Sequence, residues 1–487
     1  MSRHGIRLAL GGLLGLATVA PATAATFCVD PDDPAKCSAT IQEAVDLAGP
    51  GDVVTIARKG GDGSRGYREN VVVTTPNLTI TGKGRARGSL TKEKCPPVVL
   101  DGCETPDDPA SCGSNAGLGS AFAIDATGVT IESLTIRHFR NAVLLADGAD
   151  DATVRGTCFV ANDGAVFNDE VDDPTGSAVD RLTVERSLFR GTIDGTDVEI
   201  VGDGTVVRKN AFFVTDEGVY LRGAGARVEG NEFVTCNDDC IRVKGPNTVV
   251  TENEIESADD AIELDGDNPT VTRNEVRGSD DDNVNVDCGA DPDDVDRATC
   301  TGGLIADNEI VGNSDDDQGI DAEGDHLVVR DNRADGTAQA GIRYSGDNGT
   351  VTGNQIRRAG KPFFAAMEIR GDDNQVVGNT IILPASAAIE TFGDRNTFRK
   401  NVIAQGGTSG FFQRDGTANV IVDNKIKNCH GEGINNALGA TDTVIENNTT
   451  TGNRTDVCND GTIASFTGNK LDTGGVATPC LVEKIDL

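Results

Sequence analysis

Acidic residues recur in pairs at nearly equal intervals through the middle of the chain. They are Asp216 in "TDEGV", Asp238 and Asp239 in "NDDCI", Asp259 and Asp260 in "ADDAI", then the runs 280–282 and 315–317. Two carboxyl groups held close together do not both ionise readily. One keeps its proton and serves as an acid while its neighbour acts as a base, the division that glycosidic hydrolysis requires. Asp216, Asp238 and Asp239 are therefore candidate catalytic residues. The plainer alternative is that bends favour aspartate, so the pairs repeat only because the bends do.

Each pair precedes a short stretch in which apolar and polar residues alternate: "VYLRG" (219–223), "IRVKG" (241–245), "IELDG" (262–266), "VNVD" (284–287), "IDAEG" (320–324), "IRYSG" (342–346), "MEIRG" (367–371) and "IETFG" (389–393). Alternation sends every second side chain to one face of a strand. Aligned, the stretches give two outward columns, Tyr220/Arg242/Glu263/Asn285/Asp321/Arg343/Glu368/Glu390 and Arg222/Lys244/Asp265/Asp287/Glu323/Ser345/Arg370/Phe392. Their charges segregate into a cationic block, an anionic block and a return to positive charge at Arg343 and Arg370. Stacked carboxylates repel one another unless they share a hard cation, and oxygen-rich clusters suit Ca²⁺. Glu263, Asp265, Asp287, Asp321 and Glu323 are the candidate calcium ligands, and Arg222, Arg242, Tyr220 and Arg370 the candidate substrate contacts. A solvated face of alternating ion pairs is the competing interpretation.

These columns require elements that stack, and the period supplies them. Phrases such as "VRKNAF", "VEGNEF", "VTENEI" and "VTGNQI" repeat an asparagine at 210, 231, 253, 274, 308, 332, 354, 379, 401, 424, 447 and 469. Leu134, Thr157 and Ser187 fill the same slot earlier. Short β-branched strands at a period near 22, divided by Gly, Asn and Asp, predict parallel strands coiled into a solenoid, each rung ~4.8 Å above the last. The asparagines are expected to tolerate left-handed bends and to bond their copies in the next rung, with no role in chemistry. Longer intervals predict loop insertions around 168–180 and 287–302.

Composition agrees. The chain has 487 residues, 60 of them Gly, no Trp, 3 Tyr and 2 Met. Its 43 Lys+Arg against 78 Asp+Glu leave a formal charge of −35, which disfavours nucleic acid and anionic membrane as partners. Residues 1–24 have a basic start, an apolar run and a small-residue end, the pattern of a cleaved export signal; no transmembrane segment is expected, and residence is secreted or periplasmic. The 13 cysteines are then expected to form disulfides. Local spacing suggests Cys28/Cys37, Cys103/Cys112, Cys288/Cys300 and Cys236/Cys240, with Cys158 left over. His138, His326 and His430 look isolated. The expected organisation is a signal peptide at 1–24, a cap at 25–52 with a helix at 41–48 that closes the open end, a solenoid at 53–472 and a tail at 473–487.

The opening "CSATIQEAVDLAGPGDVVTIARKG", with "YRENVVV", "NLTITGKG" and "VVLDG", resembles the pectate-lyase-like superfamily of right-handed parallel β-helices, over about residues 38–472. The resemblance implies an all-β, right-handed parallel β-helix with ~22-residue rungs. It also implies a polysaccharide partner and, in its lyase members, a calcium ion that neutralises a uronate while Arg or Lys takes the C5 proton. Arg343 or Lys244 would be that base. "TDEG…CNDDCIRVKG" partly resembles polygalacturonases, although "ADDA" stands where that family has Gly-His-Gly and no Arg-Ile-Lys motif follows. "GTIDG" (191–195) faintly resembles a pectin-methylesterase strand. The repeat style also resembles periplasmic copper-maturation β-helices, against which the few His and Met speak. Calcium-assisted cleavage of an acidic polysaccharide is the leading expectation, a noncatalytic structural, adhesive or carbohydrate-binding solenoid the first alternative, and a polygalacturonase-like hydrolase the second. Oligomeric state is left open.

Overall fold

A computed structural model describes residues 23–59, 66–84, 94–103, 119–168, 178–192, 195–287, 301–313, 318–472 and 475–477. The sequence dictates its repeating unit. Triplets such as Val206–Arg208 are too short and too β-branched for a helix, and a residue in left-handed conformation closes each one, for example Lys209 at φ 56°. A second strand, Ala211–Thr215, and a third, Glu217–Arg222, complete the rung. Equivalent strands pair in parallel from rung to rung, forming three sheets around one interior, and the whole is a right-handed β-solenoid.

Because the register holds, each interior position becomes a file of like side chains. Val207, Val228, Val250 and Val271 stand over one another in the first sheet. In the second sheet the rings of Phe159, Phe189, Phe212 and Phe233 stack at 4.9, 4.5 and 4.5 Å. These side chains are essentially inaccessible, and burial of each contributes about 1.5–3 kcal/mol. At the front, the helix Ile41–Leu47 is closed by a capping box in which Thr40 and Glu43 satisfy each other's backbone, and Ile41, Ala44 and Val45 face the core. A strand at Thr26–Val29, which the sequence had not signalled, precedes the helix and pairs in parallel with Val53–Ile56.

The asparagine ladder lies at the corner between the first and second sheets. The Asn231 side chain accepts from the Asn210 backbone at 3.0 Å and from its side-chain amide at 3.1 Å, then donates to Asn253 at 3.0 Å and to the Val207 carbonyl at 3.0 Å. The pattern runs to Asn469 with two corrections. The left-handed residue is the one before the asparagine, as at Glu252, Arg273 and Asp331, and the asparagine supplies the side-chain bonds. In "VIENNT", accordingly, Asn447 takes the bend and Asn448 joins the ladder, receiving the Asn424 amide at 3.0 Å.

The cysteines also differ in part. Cys28–Cys37 and Cys236–Cys240 are bonded as expected, but Cys158 is bonded to Cys95, and among the described residues the free thiol is the buried Cys429. Strand alternation explains this. Phe159 faces inward, so Cys158 faces outward, where it forms a small apolar cluster with Leu188, Phe213 and Cys95. Cys103 and Cys458 are disulfide-bonded as well. Cys112, Cys288, Cys300, most of the expected signal peptide, both insertion loops, 315–317 and most of the tail lie outside the described residues.

Candidate functional site

The outward columns read from the sequence stand in register on the third sheet. Tyr220 pairs with Arg242, Arg242 with Glu263, Asn285 with Asp321, and Asp321 with Arg343; in the neighbouring column Arg222 pairs with Lys244 and Lys244 with Asp265. The corner leading into this sheet carries a carboxyl group on successive rungs. The Cys236–Cys240 bond fixes its turn there, and the Asp239 carbonyl accepts from Gly218 N–H at 3.0 Å. One rung on, the Asp260 carboxylate accepts from Asp282 N–H at 2.8 Å, and Asp282 in turn accepts from Gln318 N–H at 2.6 Å.

Asp239, Asp260 and Glu263 bring one oxygen each within 4.8 Å of one another. Arg242 lies over them, its Nε 2.9 Å from Glu263 and a terminal nitrogen 3.6 Å from Asp239. Burial, then the bond to and charge of Glu263, push Asp239 up to about 9. Burial, then the charge of Asp281, push Asp260 up to about 7. Burial also raises Glu217, although the Thr196 hydroxyl donates to it at 2.5 Å. Burial and the neighbouring Glu263 charge thus favour a proton held between the Asp239 and Glu263 carboxyl groups. Above them Tyr220 lies between two guanidinium groups, Arg222 at 5.0 Å and Arg242 at 5.4 Å from its ring centre, and Arg222 Nε donates to its hydroxyl at 2.6 Å.

The remaining expected residues are distributed otherwise. Asp216 and Asp238 sit on adjacent rungs, joined backbone to backbone at 3.0 Å, outside the trio. Of the five expected calcium ligands only Glu263 is in it. Asp265 lies 3.7 Å from Lys244, and Asp321 is held by both arms of Arg343. Glu323 is raised by burial and then by the charges of Asp321 and Asp287, so those three carboxyls are neighbours. Burial works to lower Arg343, and Asp321 outweighs it, holding the guanidinium above its ordinary value. Arg370 is bonded to Glu368 at 2.7 Å and lies 5.6 Å from the Phe392 ring centre.

The sequence reading missed the role of Asp260, although a signal existed: Asp239/Arg242 and Asp260/Glu263 share a three-residue spacing one rung apart. It missed that His138 is bonded to the buried Asp101 at 2.9 Å, beside Arg137. It also missed Asp197, which is fully buried, receives the Thr192 hydroxyl and is pushed up to about 8 by burial.

Architecture and site together define a right-handed parallel β-helix with an acidic centre on its third sheet. Residues 196–356 match the family described as right handed beta helix region, and residues 299–477 the family described as periplasmic copper-binding protein (NosD). No curated protein matches the chain. Similar solved structures include the A-module of the mannuronan C-5 epimerase AlgE6 of Azotobacter vinelandii, at 12% identity over 90% of this chain and 94% of that one, TM-score 0.32. A tailspike protein double mutant of E. coli bacteriophage HK620 is 11% identical over 80% of this chain and 73% of that one, TM-score 0.45. An alginate lyase from Paenibacillus sp. is 13% identical over 69% of this chain and 97% of that one, TM-score 0.32. At these identities the likeness is one of fold.

Copper does not fit the residues present in 299–477. Copper favours thiolate, thioether and imidazole donors held together. Met367 is in the core, burial pushes the Cys429 thiol up to about 11, and among the described residues neither cluster of three potential ligands falls in that span. A hard cation suits the three carboxyls of Asp239, Asp260 and Glu263 better, though Arg242 already neutralises Glu263. Among the described residues no helix is long and apolar enough to cross a membrane.

Proposed function

We propose that the protein is an exported glycoside hydrolase acting on an acidic polysaccharide laid along the third sheet. The observation that carries this reading is the close approach of the Asp239 and Glu263 carboxyl groups beside Arg242, where burial raises Asp239. Asp239 donates its proton to the leaving oxygen. Glu263, as the carboxylate, attacks the sugar carbon as the protonated leaving oxygen departs, and water then displaces Glu263 while Asp239 takes back a proton. Arg222, Arg242 and Lys244 on one side and Arg343 and Arg370 on the other are cations that uronate carboxylates would share with their present partners, Tyr220, Glu263, Asp265, Asp321 and Glu368. The disulfides suit an oxidising compartment.

β-Elimination is less well supported. Its base must be able to lose a proton, whereas Arg343 is locked to Asp321 and raised, and Lys244 faces Asp265. A calcium-bridged binding site is the second reading, and the close approach of the three carboxyl groups favours it.

Incubation with polygalacturonate and alginate, with and without calcium, separates these readings. Hydrolysis gives new reducing ends without the ultraviolet absorbance of an unsaturated uronate, and Asp239→Asn and Glu263→Gln each lower the rate by roughly 10²-fold or more. Unsaturated products would replace the hydrolase reading with the lyase. Calcium-dependent retention without any cleavage would replace it with the binding site.

A further inference from the structure

The corner that bears Asp239 and Asp260 bears something different five rungs beyond Asp239 and four beyond Asp260. Between the strands Gln355–Arg357 and Met367–Arg370 the turn lengthens into "AGKPFF", and it presents Phe363, 66% exposed, and Phe364, 40% exposed, with Leu383 of the next rung 39% exposed. Phe363 has φ 84°, a conformation that a bulky side chain adopts only at a cost. Burial does not offset that cost, because the ring is in solvent.

The turn is nonetheless built. Phe364 N–H donates to the Lys361 carbonyl at 3.1 Å. Gly360, at φ 88°, lies so close beneath that a Cβ there would come within 2.6 Å of the Phe364 carbonyl oxygen. A strained, exposed aromatic residue on a well-formed turn is the kind of feature that a ligand explains.

We infer that Phe363 and Phe364 form a stacking platform for a pyranose ring of a uronate-containing polysaccharide, distant from the bond that is cleaved. The patch is too small for a protein partner. Two partly exposed phenyl rings offer on the order of 200 Å², against about 800 Å² per side in a stable protein interface. A sugar ring has an apolar face of suitable size. Arg357, exposed at the end of the preceding strand, borders the turn and matches an anionic sugar. Four to five rungs at ~4.8 Å place the platform about 19–24 Å along the axis from the carboxyl trio, so a polymer parallel to the axis spans both. The inference rests on the proposed function only in placing a polysaccharide on this face.

The test is migration in native gels cast with polygalacturonate or alginate, alongside reducing-end assays and sedimentation. Phe363→Gly removes the ring and relieves the left-handed backbone, so the variant should melt at a higher temperature yet bind the polymer roughly tenfold more weakly, a loss within the range of one stacking contact. Its turnover number on short oligogalacturonides should not change. Equal retention of wild type, Phe363→Gly and Phe363→Gly/Phe364→Ala overturns the platform. So does failure of the wild type to be retarded by either polymer, or a wild-type dimer that Phe363→Gly converts to monomer. Retention that falls in Phe363→Gly with no reducing ends from any form supports the platform and removes the hydrolase reading instead.

Discussion

Two corners of the same solenoid are built by the same device and have opposite electrostatics. Where the first sheet turns into the second, one asparagine per rung passes a hydrogen bond to the next, and each amide has both a donor and an acceptor to give. Where the second turns into the third, Asp239, Asp260 and Asp282 repeat at the same rise, and an ionised carboxylate has only acceptors. The amide file satisfies itself. The carboxyl file does so only by keeping protons or attracting cations, hence the raised values of Asp239 and Asp260 and the guanidinium of Arg242 above them. Repetition that contributes stability at one corner creates chemical potential at the other.

The sharpest break of this comparison is to make the first corner resemble the second. Asn332→Asp puts a carboxylate where Asn308 and Asn354 supply and require complementary amides. A buried, uncompensated charge of this kind costs about 3–5 kcal/mol. Hydrogen exchange should show amides of the neighbouring rungs losing protection first, since solenoid rungs depend on adjacent rungs.

The converse change should spare the fold. Asp239→Asn replaces a carboxylic acid by an amide of the same shape, so the melting temperature should stay level or rise while activity falls by roughly 10²-fold or more. A loss of stability comparable to Asn332→Asp would mean that the acid file is as structural as the amide file.

A third effect is smaller and depends on pH. Asp197, Asp239 and Asp260 are all raised in the folded state, to about 8, 9 and 7. The folded protein therefore binds more protons than the unfolded chain between the ordinary aspartate value and these values. Stability supplied by these groups is greatest in mild acid and is lost as pH rises toward 9, the reverse of common acid denaturation. Melting temperature should decline across that window, and Asp197→Asn, buried and outside the carboxyl trio, should flatten the decline without changing activity. A melting temperature that climbs over the same range would contradict the buried, protonated state.

Most of this architecture was legible in the sequence because a solenoid turns a linear period into a spatial file. The asparagine phrases and the alternating strands gave rung, register and outward columns. Two kinds of feature were not legible. One depends on which side of a strand a residue faces: Cys158, in an apolar strand, was left without a partner, but its neighbour Phe159 holds the inward position and sends it out to Cys95. The other depends on side-chain reach across a corner. Glu263 and Asp265 alternate identically in the sequence, yet one reaches the turn acids and the other faces Lys244. Single-residue offsets hid the rest, as with Asn447 and Asn448, which period counting cannot separate.

The smaller of two disulfide effects gives the most local information about the acid corner. Cys95–Cys158 links positions 63 apart, Cys236–Cys240 positions only 4 apart. In the chain-entropy account the first contributes about 4 kcal/mol and the second about 2. Cys236→Ala/Cys240→Ala should therefore lower the melting temperature less than Cys95→Ala/Cys158→Ala. Its effect on catalysis should be larger, because the short bridge closes the turn that buries Asp239. Hydrolysis needs that group protonated, so kcat/KM should fall as pH rises through about 9. A loosened turn admits water, weakens the desolvation that keeps the proton on, and moves this alkaline limb to lower pH. An unshifted limb in a variant of reduced stability would make the bridge a clasp for the fold alone, and the acidity of Asp239 would then belong to its contact with Glu263.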